Sequence, residues 1–381
     1  MKRAVLFVFA VFFLCRGVSA QVASCRQPWM PNDSPVFCSW RSEGPLPQAR
    51  TYHSVVATDT SIYVLGGFRY DASTKQVVYY DTVVKSDVGP DGKLGSWTAE
   101  SSFNEGRSGA GAVRIGSCIF LAGGSSSTPT ALTYYDDVQS ARIGTDGKLS
   151  AWITSPNHLR TPRSNHSLVA LTTDKGTFLN VVAGVGQVGN DTVHLDTIEV
   201  ARANSDCTVG EWAPADYHIK GGRSTPQAVT VDKTVVIVGG WGDLDLIDVY
   251  DDVQSSEVRD DGSPAPWRTS PAHLTTGIYG HSTCLIKSQT QPGRSLLLSV
   301  GGQPGTGAYA NWISFAYLKP HYSVSDAISI WRIAPTGKLP TGLAGLSTVQ
   351  SGGRLYVIGG SDGAGQYHSD VTSAQVDFGQ P

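Results

Sequence analysis

Short apolar runs ending in glycine recur along the chain at a nearly constant interval: YVLGG (63–67), FLAGG (120–124), NVVAG (180–184), VIVGG (236–240), LLSVGG (297–302) and YVIGG (356–360). Six tryptophans keep step with them, Trp40, Trp97, Trp152, Trp212, Trp267 and Trp331. A period of about 57 residues marks a repeat architecture, in which each unit buries its faces only against its neighbours. Within a unit the pattern predicts four short strands. The first is small and weakly alternating, His53 to Thr58 or GAGAV (109–113). The second is a continuous apolar run of the kind buried on both faces. The third begins at Tyr79-Tyr80-Asp81, Tyr134-Tyr135-Asp136 and Val249-Tyr250-Asp251 and ends in Asp91-Gly92, Asp146-Gly147 and Asp261-Gly262, read as two-residue hairpin turns. The fourth carries the tryptophan.

Four-stranded units, no helical periodicity and six copies predict an all-β, six-bladed propeller around a central channel. The ends of the chain suggest how it closes. Trp40 precedes any first, second or third strand, while TSAQVDF (372–378) is a third strand with no fourth after it. The N-terminal segment is therefore expected to supply the outer strand of the last blade and remove the free edge.

Lys2 and Arg3 before an apolar run from Ala4 to Cys15, with Val18-Ser19-Ala20 after it, predict a signal peptide over 1–20 and one domain over 21–381. The run is short for a membrane span. Losing Lys2, Arg3 and Arg16 from the 29 basic residues leaves 26 against 32 acidic ones, which argues against nucleic-acid affinity. Five cysteines then remain, Cys25, Cys38, Cys118, Cys207 and Cys284, an odd number that leaves one thiol over. Cys25 with Cys38 is the expected pair, and the other pairings stay open. Sequons at Asn32, Asn165 and Asn190 suit a secretory route, the first weakened by Pro35.

The Gly-Gly ending the second strand, the aromatic in the third and the Trp in the fourth resemble the Kelch repeat over nearly all of the expected mature chain. Tyr80 and Trp97 lie further apart than in the usual Kelch repeat. This is more similar to secreted propellers of the sialic-acid epimerase and galactose oxidase kinds than to cytosolic adaptors. No BTB-type or BACK-type helical pattern accompanies the repeats, so a role in ubiquitin ligation is not expected.

At the head of strand one stand Arg50, Arg107, Arg163 and Arg223, then Ile278 and Leu343. The resemblance implies rim arginines for acidic ligands, and guanidinium groups suit a carboxylate, sulfate or acidic peptide. The same arginine could instead serve the repeat, bonding carbonyls of neighbouring blades or the Asp81-type carboxylates. His53, His166 and His281 occupy alternate blades, a pattern that could converge on a metal, although no carboxylate partner is evident. Loops after strand two carry Phe68, Arg69, Tyr70, Gln187, Trp241, Asp243, Gln303, Tyr309, Trp312 and Asp362, the residue types that hold a sugar ring. No nucleophile elbow, zincin motif, P-loop or dinucleotide fingerprint is present. No Tyr, Cys and His set for copper-radical chemistry can be placed.

The leading expectation is a secreted monomeric binding module without cofactor, taking an anionic glycan or acidic protein segment at the channel mouth. Its ligand contacts would be Arg50, Arg107, Arg163, Arg223, Trp241, Asp243, Tyr309 and Trp312. The alternatives are an extracellular sugar epimerase or mutarotase and a structural matrix or wall component.

Overall fold

The computed structural model describes residues 26–28, 30–242, 248–288, 291–305, 307–318 and 328–379. Six antiparallel sheets of four strands each form the body. Blade one is Ser54–Ala57, Ser61–Leu65, Val83–Asp87 and Thr98–Glu100, ordered from the axis outwards. Blades two to five begin at Gly111, Ser167, Gln227 and Ser282 and repeat that order. Each innermost strand lies beside those of the two neighbouring blades, and blade six lies beside blade one, so the ring closes.

The closing sheet takes its outer strand from the N-terminal segment, as expected. Val36–Ser42 pairs antiparallel with Val371–Asp377, in register Val36 to Asp377, with a bulge between Cys38 and Arg41. Cys38 is disulfide-bonded; Cys25, the expected partner, and the signal segment lie outside the described residues.

The core sits in the seams between blades. Along Ser61–Leu65 every residue is buried, because alternate side chains face opposite neighbours. Ile62 and Val64 pack with Tyr356 and Ile358 of blade six, while Tyr63 and Leu65 pack with Ile119 and Leu121 of blade two. Each such burial contributes about 1.5–3 kcal/mol. A single blade could cover neither face.

Three local readings are corrected. The third strand begins at Val83, Val138 and Val253, later than the tyrosines. Tyr79 and Tyr134 instead end an extra hairpin that rises between strands two and three, Phe68–Asp71 with Gln76–Tyr79 in blade one and Ser125–Ser127 with Leu132–Tyr134 in blade two. The third-to-fourth turn has three residues, because Gly89 N–H donates to Lys93 O and Gly92 N–H to Gly89 O. Gly92 then takes φ 71°, the left-handed geometry of a three-residue hairpin loop. In blades one to five the tryptophan stands just before the fourth strand rather than in it, Trp97 preceding Thr98 and Trp331 preceding Arg332.

Candidate functional site at the channel mouth

The glycine doublets hold the seams. In every blade the second residue of the doublet donates its N–H to the carbonyl at the head of the next blade's first strand: Gly67 to Arg107 and Gly124 to Arg163 at 2.9 and 2.8 Å, and so on round to Gly360 and Arg50 at 2.9 Å. The first residue also has positive φ, and a methyl group on Gly66 would sit 2.8 Å from the Arg107 carbonyl oxygen. Glycine thus suits this close blade contact, although Ala183 holds the first position of the doublet in blade three at φ 60°.

The four arginines brace the same doublets from within. Arg50, Arg107, Arg163 and Arg223 are at most 1% exposed. Each donates from Nη1 to the first doublet residue of its own blade, Gly66, Gly123, Ala183 or Gly239, at 2.9–3.1 Å. Arg107 and Arg223 also pair with Asp137 and Asp252, and Arg163 with Glu199. Tyr80, Tyr135 and Tyr250 lie beneath the guanidinium groups of Arg50, Arg107 and Arg223 at 4.5, 4.2 and 3.7 Å. The expected ligand-facing arc of arginines is therefore corrected: these donors are turned inward, and their partners are the repeat's own carbonyls, carboxylates and rings.

Two residues after each arginine position a ring of six left-handed residues encircles the axis: Tyr52, Gly109, Asn165, Thr225, Gly280 and Gly345, with φ between 49° and 62°. Each of five N–H groups donates to the carbonyl of the preceding blade's member, as Tyr52 does to Gly345 at 2.8 Å and Gly109 to Tyr52 at 2.9 Å. Gly280 N–H reaches Thr225 Oγ1 at 3.3 Å. Beneath the ring lies an axial cavity of about 240 Å³, lined by the starts of all six inner strands.

Around the ring the extra hairpins and strand heads present an arc of half-buried aromatic side chains. Tyr52 stacks on Phe68, with centroids 6.1 Å apart, and Phe68 meets Tyr79 and Tyr367 at 5.7 and 5.8 Å. On the far side Trp241 lies between His194 and Tyr279, at 5.0 and 5.7 Å. Tyr309 lies beside the blade-six loop, its Cδ1 3.7 Å from a methyl group placed on Gly363. Charged groups on these loops include Asp71 paired with Arg69, and Asp362 and Asp370 on either side of His368.

The Kelch motif model matches residues 49–86 and 342–371. These spans contain the Arg, Gly-Gly and Tyr elements of blade one and the Gly-Gly of blade six. The chain is a β-propeller that carries Kelch motifs. A solved structure titled "Structure of YjhT" shares the fold, with a TM-score of 0.62 over 86% of this chain and 95% of that one, at 15% identity. Comparison with curated proteins returned no match.

In this Kelch propeller the three histidines are seam fillers. A methyl group on Gly359, Gly123 or Gly239 would sit 2.9–3.0 Å from Cε1 of His53, His166 or His281 respectively. Leu346 takes the same seat in blade six, 2.7 Å from a methyl placed on Gly301. Burial holds all three imidazoles down at about 3, with Arg50 and Arg163 adding repulsion at His53 and His166. Among the described residues no group of three or more His, Cys, Asp or Glu is placed to hold a metal.

Of the other expected residues of the Kelch mouth, Trp241 and Tyr309 belong to the arc. Trp312 instead lies in the third strand of blade five and packs against the core of the seam between blades four and five, and Asp243 lies outside the described residues. Asn190 is exposed at the tip of the blade-three hairpin and Asn32 is exposed near the N-terminal strand, whereas Asn165 is built into the axial ring. Cys118 bonds Cys207, and Cys284 is a buried free thiol raised by burial to about 12.

Tyr52 and Tyr279 were missed in the sequence. Their signal was an aromatic at a repeat position where the other blades are small: Gly109, Asn165, Thr225, Gly280 and Gly345 opposite Tyr52, and Thr51, Ser108, Ser164, Ser224 and Ala344 opposite Tyr279.

Proposed function

We propose that this Kelch propeller is a secreted binding module whose ligand is a glycan held at the channel mouth. The observation that carries the reading is the aromatic arc, from Trp241 and Tyr279 through Tyr309 to Tyr52 and Phe68, half-exposed around one opening. Sugar rings offer an apolar face to such side chains and hydroxyls to their polar tips. The Cys118–Cys207 bridge supports an oxidising compartment. No described helix is long and apolar enough to cross a membrane. The anionic component of the expected ligand loses its support, since Arg50, Arg107, Arg163 and Arg223 are committed to the fold.

A glycan array probed with the mature protein tests the reading. Binding of an oligosaccharide that is lost in Trp241→Ala supports it, and an array without hits overturns it. An NMR time course on any bound sugar distinguishes the epimerase or mutarotase alternative, which requires anomer or epimer interconversion above the spontaneous rate. Preference for acidic peptides over every glycan would favour the protein-segment reading instead.

A further inference from the structure

We propose that Tyr52, Tyr279 and Tyr309 form one subsite, on the side of the mouth where blades five, six and one meet, that takes a neutral sugar ring. The inference rests on the glycan-binding reading and narrows it to residues and ligand charge.

Tyr52 is placed at a conformational disadvantage. It has φ 49°, a left-handed geometry that bulky L side chains rarely adopt, at a ring position filled elsewhere by three glycines, Asn165 and Thr225. Its side chain lies across two of those glycines. A methyl on Gly345 would sit 2.8 and 2.9 Å from Cδ2 and Cε2 of the Tyr52 ring, and one on Gly280 would sit 3.2 Å from its hydroxyl. Blades five and six are small where Tyr52 crosses them. Ring closure does not explain this, because glycine makes the same backbone hydrogen bond at 109 and 345.

Many tyrosine hydroxyls are engaged within the fold. Tyr63, Tyr79, Tyr80, Tyr135, Tyr317 and Tyr356 each use theirs on a protein partner. Among the described residues, the hydroxyls of Tyr52, Tyr279 and Tyr309 have no protein partner, and that of Tyr52 lies 3.2 Å from a methyl placed on Gly280, the neighbour of Tyr279. Three phenols without partners among the described residues, with Phe68 beside Tyr52 and Trp241 beside Tyr279, present hydrogen-bonding tips over apolar surface. That matches a pyranose edge and face. A carboxylated sugar finds no available guanidinium there, since Arg50 is buried under the ring and Arg69 is paired with Asp71.

The test uses glucose- and galactose-terminated neutral trisaccharides as probes, with sialyllactose as the anionic counterpart, titrated by calorimetry. Tyr52→Gly should keep or raise the melting temperature, because glycine suits a positive φ, while weakening a neutral probe by about tenfold. Tyr279→Phe and Tyr309→Phe should each weaken it roughly two- to tenfold, the worth of one neutral hydrogen bond. Wild-type affinity in Tyr52→Gly, or preference for sialyllactose, would overturn the subsite. If Trp241→Ala abolishes binding while all three tyrosine variants retain it, the subsite fails and the glycan reading stands. If wild type binds none of the probes, both fail.

Discussion

The guanidinium of Arg163 donates to the carboxylate of Glu199 at 2.6 Å, with neither side chain more than 3% exposed. Glu199 also accepts the N–H groups of Arg160 and Thr161, so one carboxylate ties the third strand of blade three to the loop entering it. Removing one partner of such a pair leaves the other buried and uncompensated, which costs about 3–5 kcal/mol. Glu199→Ala should therefore lower stability by that amount in denaturant titration. Arg163→Lys should also lower the melting temperature, because the planar fork is lost, but leave glycan affinity per folded molecule unchanged. Loss of affinity with unchanged stability would return this arginine to the binding surface.

Arg50 is the counterexample within the same molecule. Where Arg107 and Arg223 face Asp137 and Asp252, Arg50 faces Thr82 and Gln48, and its Nε has no partner. Burial without a carboxylate pulls its pKa down to about 10. Thr82→Asp restores the arrangement of blades two and four. It should stabilise the protein by about 1–2 kcal/mol, as hydrogen bonds to charged groups do. Thermal melts of the single variant check this, and a lower melting temperature would show that the blade-one pocket cannot accept the carboxylate.

The contrast shows how much was legible beforehand. Periodicity in the glycine doublets and tryptophans carried the six blades and the closing strand, because a repeat fold writes the same contact six times. The arginine position was equally visible, but which way the side chain turned was not. All four turn to the doublet carbonyl of their own blade, a backbone partner that no residue type announces; the carboxylates Asp137 and Asp252, two residues after Tyr135 and Tyr250, join it in only two blades and read as ordinary polar positions until that carbonyl is known. Tyr52 was hidden for the opposite reason. Its role comes from being unlike its repeat equivalents, and a search for recurrence passes over the exception.

The disulfide was readable by the same alignment. Cys207 follows Asp206 five residues before Trp212, the place held by Gly92, Gly147 and Gly262 before their tryptophans, and it keeps their left-handed geometry at φ 72°. In the neighbouring seams that turn meets the second strand of the preceding blade through a hydrogen bond, Tyr63 Oη to Gly147 O at 2.6 Å or Asn180 Nδ2 to Gly262 O at 3.1 Å. The Cys118–Cys207 bridge replaces that contact covalently. Cys207→Gly should leave the turn unstrained and isolate the cross-link, whose loss over a separation of 89 residues costs about 2–5 kcal/mol. A melting temperature equal to wild type would mean that the bridge adds nothing beyond the turn.

The buried histidines make a pH prediction. His53, His166 and His281 have folded-state pKa values near 3, below the ordinary 6.5, because burial penalises the imidazolium and because Arg50 and Arg163 lie near the first two. Their stabilising contribution is complete above pH 6.5, is lost as the unfolded chain takes up protons below it, and is gone once the pH reaches about 3. Near pH 5 the unfolded state should bind about three more protons than the native one, a slope of roughly 4 kcal/mol per pH unit. Leucine already fills this seat in blade six, so the triple variant His53→Leu, His166→Leu and His281→Leu should fold. It should lose most of that slope between pH 6.5 and 4, leaving only what the carboxylates contribute. Denaturant titrations of both proteins across that range decide the matter, and equal pH dependence would show that these imidazoles are solvated in the native state.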